Sequence, residues 1–219
     1  MTVFLTGASG GIGTAVRDEF VSNGWNVISP TRLEMDLSEE QSIEDYCQTR
    51  TDVSSVTAVV NCAGVNAPKP IFEFTQLDLS LLFQVNVFSS FHLVKSLMES
   101  GAKIRSVVSI SSLYADKNRV GRAAYSMSKS ALEQLTKALG AEFGSLGVRS
   151  NIVRPGFIDT DLTRRNNSEF EIRKILESVP SARLGLPSEV AKVVYFLSSD
   201  DASYVNGAII NVDGGASLW

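Results

Sequence analysis

Residues 4–13 read "FLTGASGGIG", a short apolar run followed by a glycine cluster and the start of a helical pattern. Two parses compete. Gly7-Ala8-Ser9-Gly10-Gly11 fits G-x-S-x-G, the strained turn that presents a nucleophilic serine in α/β-hydrolases. The same residues also form a strand-to-helix turn beside which a dinucleotide's phosphates can sit. Gly7, Gly11 and Gly13 let the chain turn tightly and approach an anion, and the helix after them, starting near Ile12, offers its free amides. The hydrolase parse needs a histidine after the nucleophile and the acid. His92 is the only histidine, most of the strands follow it, and no loop upstream of the first strand can supply a second oxyanion donor. Ser9 is therefore read as a loop residue beside a ligand.

Working outward, the composition sets bounds. The chain has 219 residues, 44% hydrophobic and 20% charged, with a net charge of −4. This fits one soluble domain spanning 1–219, long enough to bury a core without staples. The charge gives no general footprint for nucleic acid or an anionic membrane, and no apolar run approaches membrane-spanning length. "MTVFLTG" lacks a basic segment and a cleavage site, so a cytoplasmic location is expected. Cys47 and Cys62 do not form C-x-x-C, and His92 lies in the apolar stretch "VFSSFHLVKSL" as a partly buried helix residue. A metal site and any mechanism needing several histidines are not expected.

Short β-branched runs alternate with helical patterns. "TVFLTG", "WNVIS", "TAVVNCAG", "SVVSISS", "VRSNIVRPG" and "GAIINVDGG" read as strands, most with the continuous apolar cores of strands covered on both faces. Residues 12–22, 75–100, 123–145 and 187–198 have helical spacing; in the third, Leu132, Leu135, Leu139 and Phe143 form one stripe. The expected fold is an α/β, single-domain, doubly wound (Rossmann-type), mostly parallel sheet with helices on both faces. The region after the second strand is shortened. Too few residues separate Ser29 from "EMDLS" for a crossover helix, so Glu34–Leu37 is either a very short strand or no regular strand.

A second constellation lies in "SVVSISSLYADKNRVGRAAYSMSKSALEQL". Tyr125 and Lys129, four apart, project from one helix face. A nearby ammonium favours the phenolate, which makes Tyr125 a general acid/base whose pKa is drawn toward working pH. Ser112 ends the preceding strand, at the sheet edge where ligands of such folds bind.

Together these segments resemble the short-chain dehydrogenase/reductase family over nearly the whole chain. "TGASGGIG" resembles its cofactor loop, and "NCAG" (Asn61, Cys62, Ala63, Gly64) its N-N-A-G. Asn86 in "FQVNVFSS" matches the family's helix asparagine, and Ser112, Tyr125 and Lys129 match its catalytic serine and Y-x-x-x-K. "RPGFIDT", with Pro155, Gly156, Ile158 and Thr160, resembles the segment beside the nicotinamide, and the final "RLGLPSEVAKVVYFLSSDDASYVNGAIINVDGG" resembles the family's ending. The resemblance implies hydride transfer between a nicotinamide cofactor and a carbonyl or secondary alcohol. Tyr125 is then the proton donor or acceptor, and Ser112 polarises the substrate oxygen. Lys129 lowers the tyrosine pKa and holds the nicotinamide ribose, and Asn86 steadies a relay water.

The acid that usually binds the adenosine ribose after the second strand is replaced by Thr31 with Arg32 beside it, which favours NADP(H) over NAD(H). Glu34 remains the alternative acid. Asp36, followed by Leu37, resembles the aspartate beside the adenine. Residues 160–180 resemble a mobile lid, where Arg164 and Arg165 are candidates to meet an acidic substrate such as a carrier-protein- or CoA-linked one. The best-matching subgroup is the 3-oxoacyl-carrier-protein reductase type; sugar, polyol and small-ketone dehydrogenases share its motifs. A non-catalytic dinucleotide-sensing protein is the reading from another class, opposed by the retained tyrosine and lysine. The family also implies a homodimer or homotetramer built from the helices at 75–100 and 123–145 and the C-terminal strand, with Trp219 among the apolar residues available to it.

Overall fold

A computed structural model describes residues 1–218; Trp219, and the contact expected of it, lie outside the described residues. The chain alternates as expected. β1 (Thr2–Thr6) leads through α1 (Gly11–Ser22) to β2 (Asn26–Ile28), and α2 (Glu40–Thr49) precedes β3 (Val56–Asn61). α3 (Gln76–Phe83) continues through a π-turn at Gln84–Phe88 into α4 (Ser89–Glu99), followed by β4 (Ser106–Ile110). α5 (Ala123–Phe143), β5 (Arg149–Pro155), α6 (Asp161–Asn166), α7 (Glu169–Glu177), α8 (Pro187–Ser198) and β6 (Ile209–Val212) complete it.

All pairings in the six-stranded sheet are parallel, in the order β2-β1-β3-β4-β5-β6. Alternate residues of each strand enter separate cores, which explains the unbroken apolar runs. Val3 and Leu5 of β1 meet Val16 and Phe20 of α1 and Val190, Val194 and Leu197 of α8 on one face. Phe4 between them points the other way, to Ile43, Tyr46 and Cys47 of α2 and Leu93 and Leu97 of α4. Removing one such leucine from either core destabilises by ~2–5 kcal/mol.

The shortened region settles as turns. Glu34 and Met35 both donate backbone hydrogen bonds to the Thr31 carbonyl, and Glu39 donates to Asp36, so residues 34–37 form no strand. β2 is thus the edge of the sheet, and it ends at Ile28, before Ser29. α2 was not assigned from the sequence; Ile43, Tyr46 and Cys47 at helical spacing bury its inner face. Within the 24-residue helix Gln76–Glu99 an 18-residue stretch reaches a mean hydropathy of 1.3, a value that the core helix of a folded domain also meets. Its Leu93 and Leu97 are buried against the sheet core. His92, partly buried as expected, places Nδ1 3.0 Å from Glu40 Oε1 where α4 faces α2.

Candidate active site

β1 and β3 are neighbours whose onward connections run to opposite sides of the sheet, so the loops at their carboxyl ends part and leave a crevice. A cavity of ≈ 630 Å³ occupies it, lined by Gly7–Gly10, Ser29–Arg32, Met35–Leu37 and Cys62–Val65, with Arg17, Leu81 and Val85. Gly7 has φ +72°, and a Cβ there would stand 2.8 Å from the Ala63 backbone, so glycine is required both for the turn and for the approach of the two loops. Thr6 Oγ1 holds that approach, accepting from Cys62 N and Ala63 N at 3.1 Å each. No side chain caps α1 and its first turn has no acid, which leaves its amides and positive dipole end to an anion. These features fit a dinucleotide's pyrophosphate.

Of the residues expected to hold the cofactor, Gly7, Ser9, Thr31, Arg32, Asp36, Leu37, Ala63 and Gly64 line this cavity. Gly11, Ile12, Gly13, Asn61, Tyr125, Lys129, Pro155, Gly156, Ile158 and Thr160 do not. Ile12 packs against the core and Ile158 is buried within it, so both side chains serve the fold. A Cβ on Gly13 would stand 2.0 Å from the Gly7 carbonyl oxygen, which makes this glycine a helix-to-turn contact. A Cβ on Gly11 would stand 2.8 Å from Thr160 Cγ2, placing that threonine across the crevice against the loop. Asn61 is buried, with Nδ2 3.4 Å from Ser109 Oγ.

After β2, Glu34 and Arg32 differ in what holds them. The Glu34 carboxylate accepts from Thr31 N and Thr31 Oγ1, both at 2.8 Å, and these bonds hold its pKa down. It is committed to its own turn. Arg32 is largely exposed, with Nε 3.2 Å from Asp36 Oδ2, and Asp36 also accepts from Ser38 N and Oγ. Arg17 reaches the same cavity while paired with neighbouring Asp18 at 2.9 Å. The sequence reading missed Arg17; its spacing of seven from Gly10, two turns along one helix face, was the available signal.

Gly64 joins the cavity to the chemistry: a Cβ there would lie 3.3 Å from both Asn86 Oδ1 and Lys129 Nζ. The Lys129 ammonium stands 5.8 Å from the centre of the Tyr125 ring and donates to the Ile110 carbonyl at 2.8 Å. Burial draws its pKa down to about 8, opposed by the charges of Cys62 and Glu133. Tyr125 departs from expectation: burial raises its pKa, against the pull of a Ser112 hydrogen bond and the Arg122 charge. Sequence spacing showed the ammonium but not the desolvation. Asn86 uses both amide hydrogens on protein, donating to the Val65 carbonyl and Ser128 Oγ at 3.0 Å each, and accepts from Val65 N at 2.8 Å. A relay water is left only the second lone pair of Oδ1 or the backbone of this residue.

Beyond Ser112 a second cavity of ≈ 410 Å³ lies under α7, with apolar Leu113, Phe157 and Ile175 and cationic Lys117, Arg119 and Lys174 among its walls. Residues 160–180 form two capped helices here. Thr160 caps α6, and Ser168 with Glu171 forms a reciprocal capping box on α7. Arg164 is bidentate to Asp159 at 2.6 and 2.7 Å and Arg165 lies 3.7 Å from Asp161, so both arginines expected to meet substrate already have carboxylate partners.

The sequence model of a family described as Enoyl-(Acyl carrier protein) reductase matches residues 7–217. The 3-oxoacyl-[acyl-carrier-protein] reductase of Aquifex aeolicus is 36% identical over 217 residues, covering 98% of this chain and 86% of that protein. Its counterpart from Salmonella typhimurium is 32% identical over 232 residues, covering 96% and 95%. Among solved structures, the ligand-free aldohexose dehydrogenase of Thermoplasma acidophilum superposes with TM-score 0.91 at 29% identity, covering 100% of this chain and 94% of that one. A Beutenbergia cavernae protein described as an NAD(P)-dependent gluconate 5-dehydrogenase, with bound NADP, gives 0.91 at 26% identity, covering 100% and 97%.

Proposed function

This chain belongs to the short-chain dehydrogenase/reductase family and is an NAD(P)-dependent oxidoreductase that interconverts a carbonyl and an alcohol, and from that premise we propose that it is an NADP(H)-dependent reductase of 3-oxoacyl-type substrates. The observation that carries the reading is the meeting of the Ser112 hydroxyl, the Tyr125 phenol and the Lys129 ammonium beside Gly64, on the rim of the crevice.

When bound, the nicotinamide supplies hydride to the substrate carbon in reduction and accepts it in oxidation. Ser112 donates a hydrogen bond to the carbonyl oxygen and polarises it. Tyr125 gives its phenolic proton to that oxygen as the alcohol forms. The raised phenol pKa keeps the proton in place at neutral pH, the state that reduction requires. Lys129 holds the ribose next to the nicotinamide, and Asn86 fixes the Val65 loop behind it. Arg17 and Arg32 take the 2′-phosphate: both line the crevice, whereas Glu34, its Oε2 bonded to Thr31, does not.

For the substrate, the apolar walls and cationic rim under α7 suit an acyl chain carried on a phosphate-bearing arm, and the two relatives act on acyl carrier protein substrates by name. A sugar acid is the second reading, favoured by the same cations and by the gluconate dehydrogenase neighbour. We place contacts between copies of the chain on the outward apolar residues Leu77, Phe88, Phe91 and Met127 of the long helices, with a cytoplasmic location. The deciding experiment follows NADPH absorbance with acetoacetyl-CoA, gluconate-type keto acids and small ketones. Fastest turnover on acetoacetyl-CoA supports the acyl reading, and turnover confined to sugar acids replaces it.

A further inference from the structure

α5 lies across the carboxyl end of β4 through a row of polar contacts, one residue at a time. Thr136 Oγ1 donates to Ser109 Oγ at 2.9 Å, and Lys129 Nζ donates to the Ile110 carbonyl at 2.8 Å. Ser111 Oγ donates to Glu133 Oε1 at 2.6 Å, and Ser112 lies near enough to Tyr125 to draw its pKa down against the effect of burial. Residues 125, 129, 133 and 136 form one stripe of the helix. Only two of them carry the reaction described above. Glu133 lies further along and is buried, yet it also receives Arg154 in a bidentate pair, Nε at 2.6 Å and Nη2 at 2.7 Å. Arg154 immediately precedes Pro155-Gly156, and a weaker contact places its Nη1 3.7 Å from Asp116 Oδ2, in the loop after Ser112.

A buried ion pair is a poor stabiliser, because well-packed apolar residues in its place are often neutral or better. Neighbouring Leu132 and Leu139 are apolar residues buried on this same helix. The geometry points instead to position. We propose that the Glu133–Arg154 pair is a positioning device for the reaction: it locks the ends of β4 and β5 to α5, so that the Ser112 hydroxyl and the Tyr125 phenol keep one fixed separation beside the nicotinamide segment. Both are positioning residues, acting through Ser111 and through the Arg154–Pro155 peptide. The proposal rests on the reading of Ser112 and Tyr125 as the reacting pair. The other titratable or charged groups acting on the reacting residues are Cys62 on Lys129, and Arg122 and Tyr114 on Tyr125.

The test replaces the pair by apolar residues, Glu133→Leu with Arg154→Met, and separately makes Glu133→Gln. Thermal unfolding, kcat and KM for NADPH-dependent reduction of acetoacetyl-CoA, and the ring-carbon Cζ resonance of isotope-labelled Tyr125 are measured on each. That resonance is assigned with Tyr125→Phe and calibrated with Ser112→Ala. The double variant is expected to keep its unfolding midpoint and NADPH KM while kcat falls ~10–100-fold, the scale of a misplacement of about 1 Å. Its Cζ resonance moves toward that of Ser112→Ala. A double variant with unchanged midpoint, kcat and resonance overturns the proposal. If the double variant does not fold, Glu133→Gln decides: a lowered kcat and a displaced resonance support the proposal, and wild-type values of both overturn it. If the wild-type protein does not reduce acetoacetyl-CoA, the acyl assignment fails, and the resonance alone still decides on positioning.

Discussion

The α5–β4 seam and the adenosine rim both carry charge, but they hold it differently. In the seam Lys129 and Glu133 are buried, each fixed by bonds under 3 Å to strand or neighbouring residues. At the rim Arg17 and Arg32 are 45% and 80% exposed and paired with carboxylates close by in sequence. Such exposed pairs are worth ~0–1 kcal/mol and exchange readily for a ligand phosphate. The contrast is between groups held in place before any ligand arrives, in the seam, and side chains free to rearrange around one, at the rim.

The sharpest way to break that comparison is Tyr125→Phe, which is expected to lower turnover by ~10³-fold or more while NADPH binding, read by its fluorescence, stays within twofold. Substantial residual activity removes the seam from the chemistry. Lys129→Met is next, expected to lower turnover by ~10²-fold without lowering the unfolding midpoint, since it removes a cation that burial disfavours. The sign follows from linkage: folded Lys129, at about 8, binds its proton less tightly than an unfolded lysine at 10.5, so it adds stability as pH rises through that window. The wild type should therefore gain on the variant between those values in pH-dependent denaturation, and parallel curves contradict the buried cation.

On the rim side, Arg32→Ala and Arg17→Ala should each weaken NADPH binding ~10-fold and leave NADH binding unchanged, measured by titration at fixed ionic strength. Equal losses for both cofactors indicate general electrostatics instead of 2′-phosphate recognition. A readout of burial, separate from activity and binding, comes from Cys62, which lines the crevice and acts on Lys129. Burial pushes the Cys62 thiol up from 9.0 to about 11, and that of Cys47 to about 12, so in the native protein alkylation at neutral pH should slow roughly 100-fold for Cys62 and roughly 1000-fold for Cys47 relative to the unfolded chain.

The parts of this design that repeat at short range were legible in the sequence. Strand runs, the glycine turn and the Tyr125–Lys129 spacing depend on neighbours within a few residues, and they specified the sheet and the side-by-side placing of the proposed acid/base and its lysine. Long-range facts were not legible. Glu133 and Arg154 are 21 residues apart and meet only because α5 folds back on β5. The raised Tyr125 pKa comes from burial, which no local spacing reports. α2 escaped notice because its polar outer face, Glu40, Gln41, Glu44 and Asp45, dilutes the three residues that anchor it. The commitment of Glu34 to Thr31 likewise needed the turn itself, since the sequence alone left that carboxylate open to the ribose.

The π-turn at Gln84–Phe88 has a consequence for the length of the chain. Such a turn accommodates one residue more than an α-helix does over the same rise. Deleting a single residue there would restore an unbroken α-helix, and because the turn absorbs that one residue, Leu93 and Leu97 would keep their face to the sheet. What would be lost is local: Asn86 sits inside the turn, and the backbone that aims its amide at Val65 and Ser128 would change. The additional residue thus serves the Val65 loop and leaves the packing of α4 untouched.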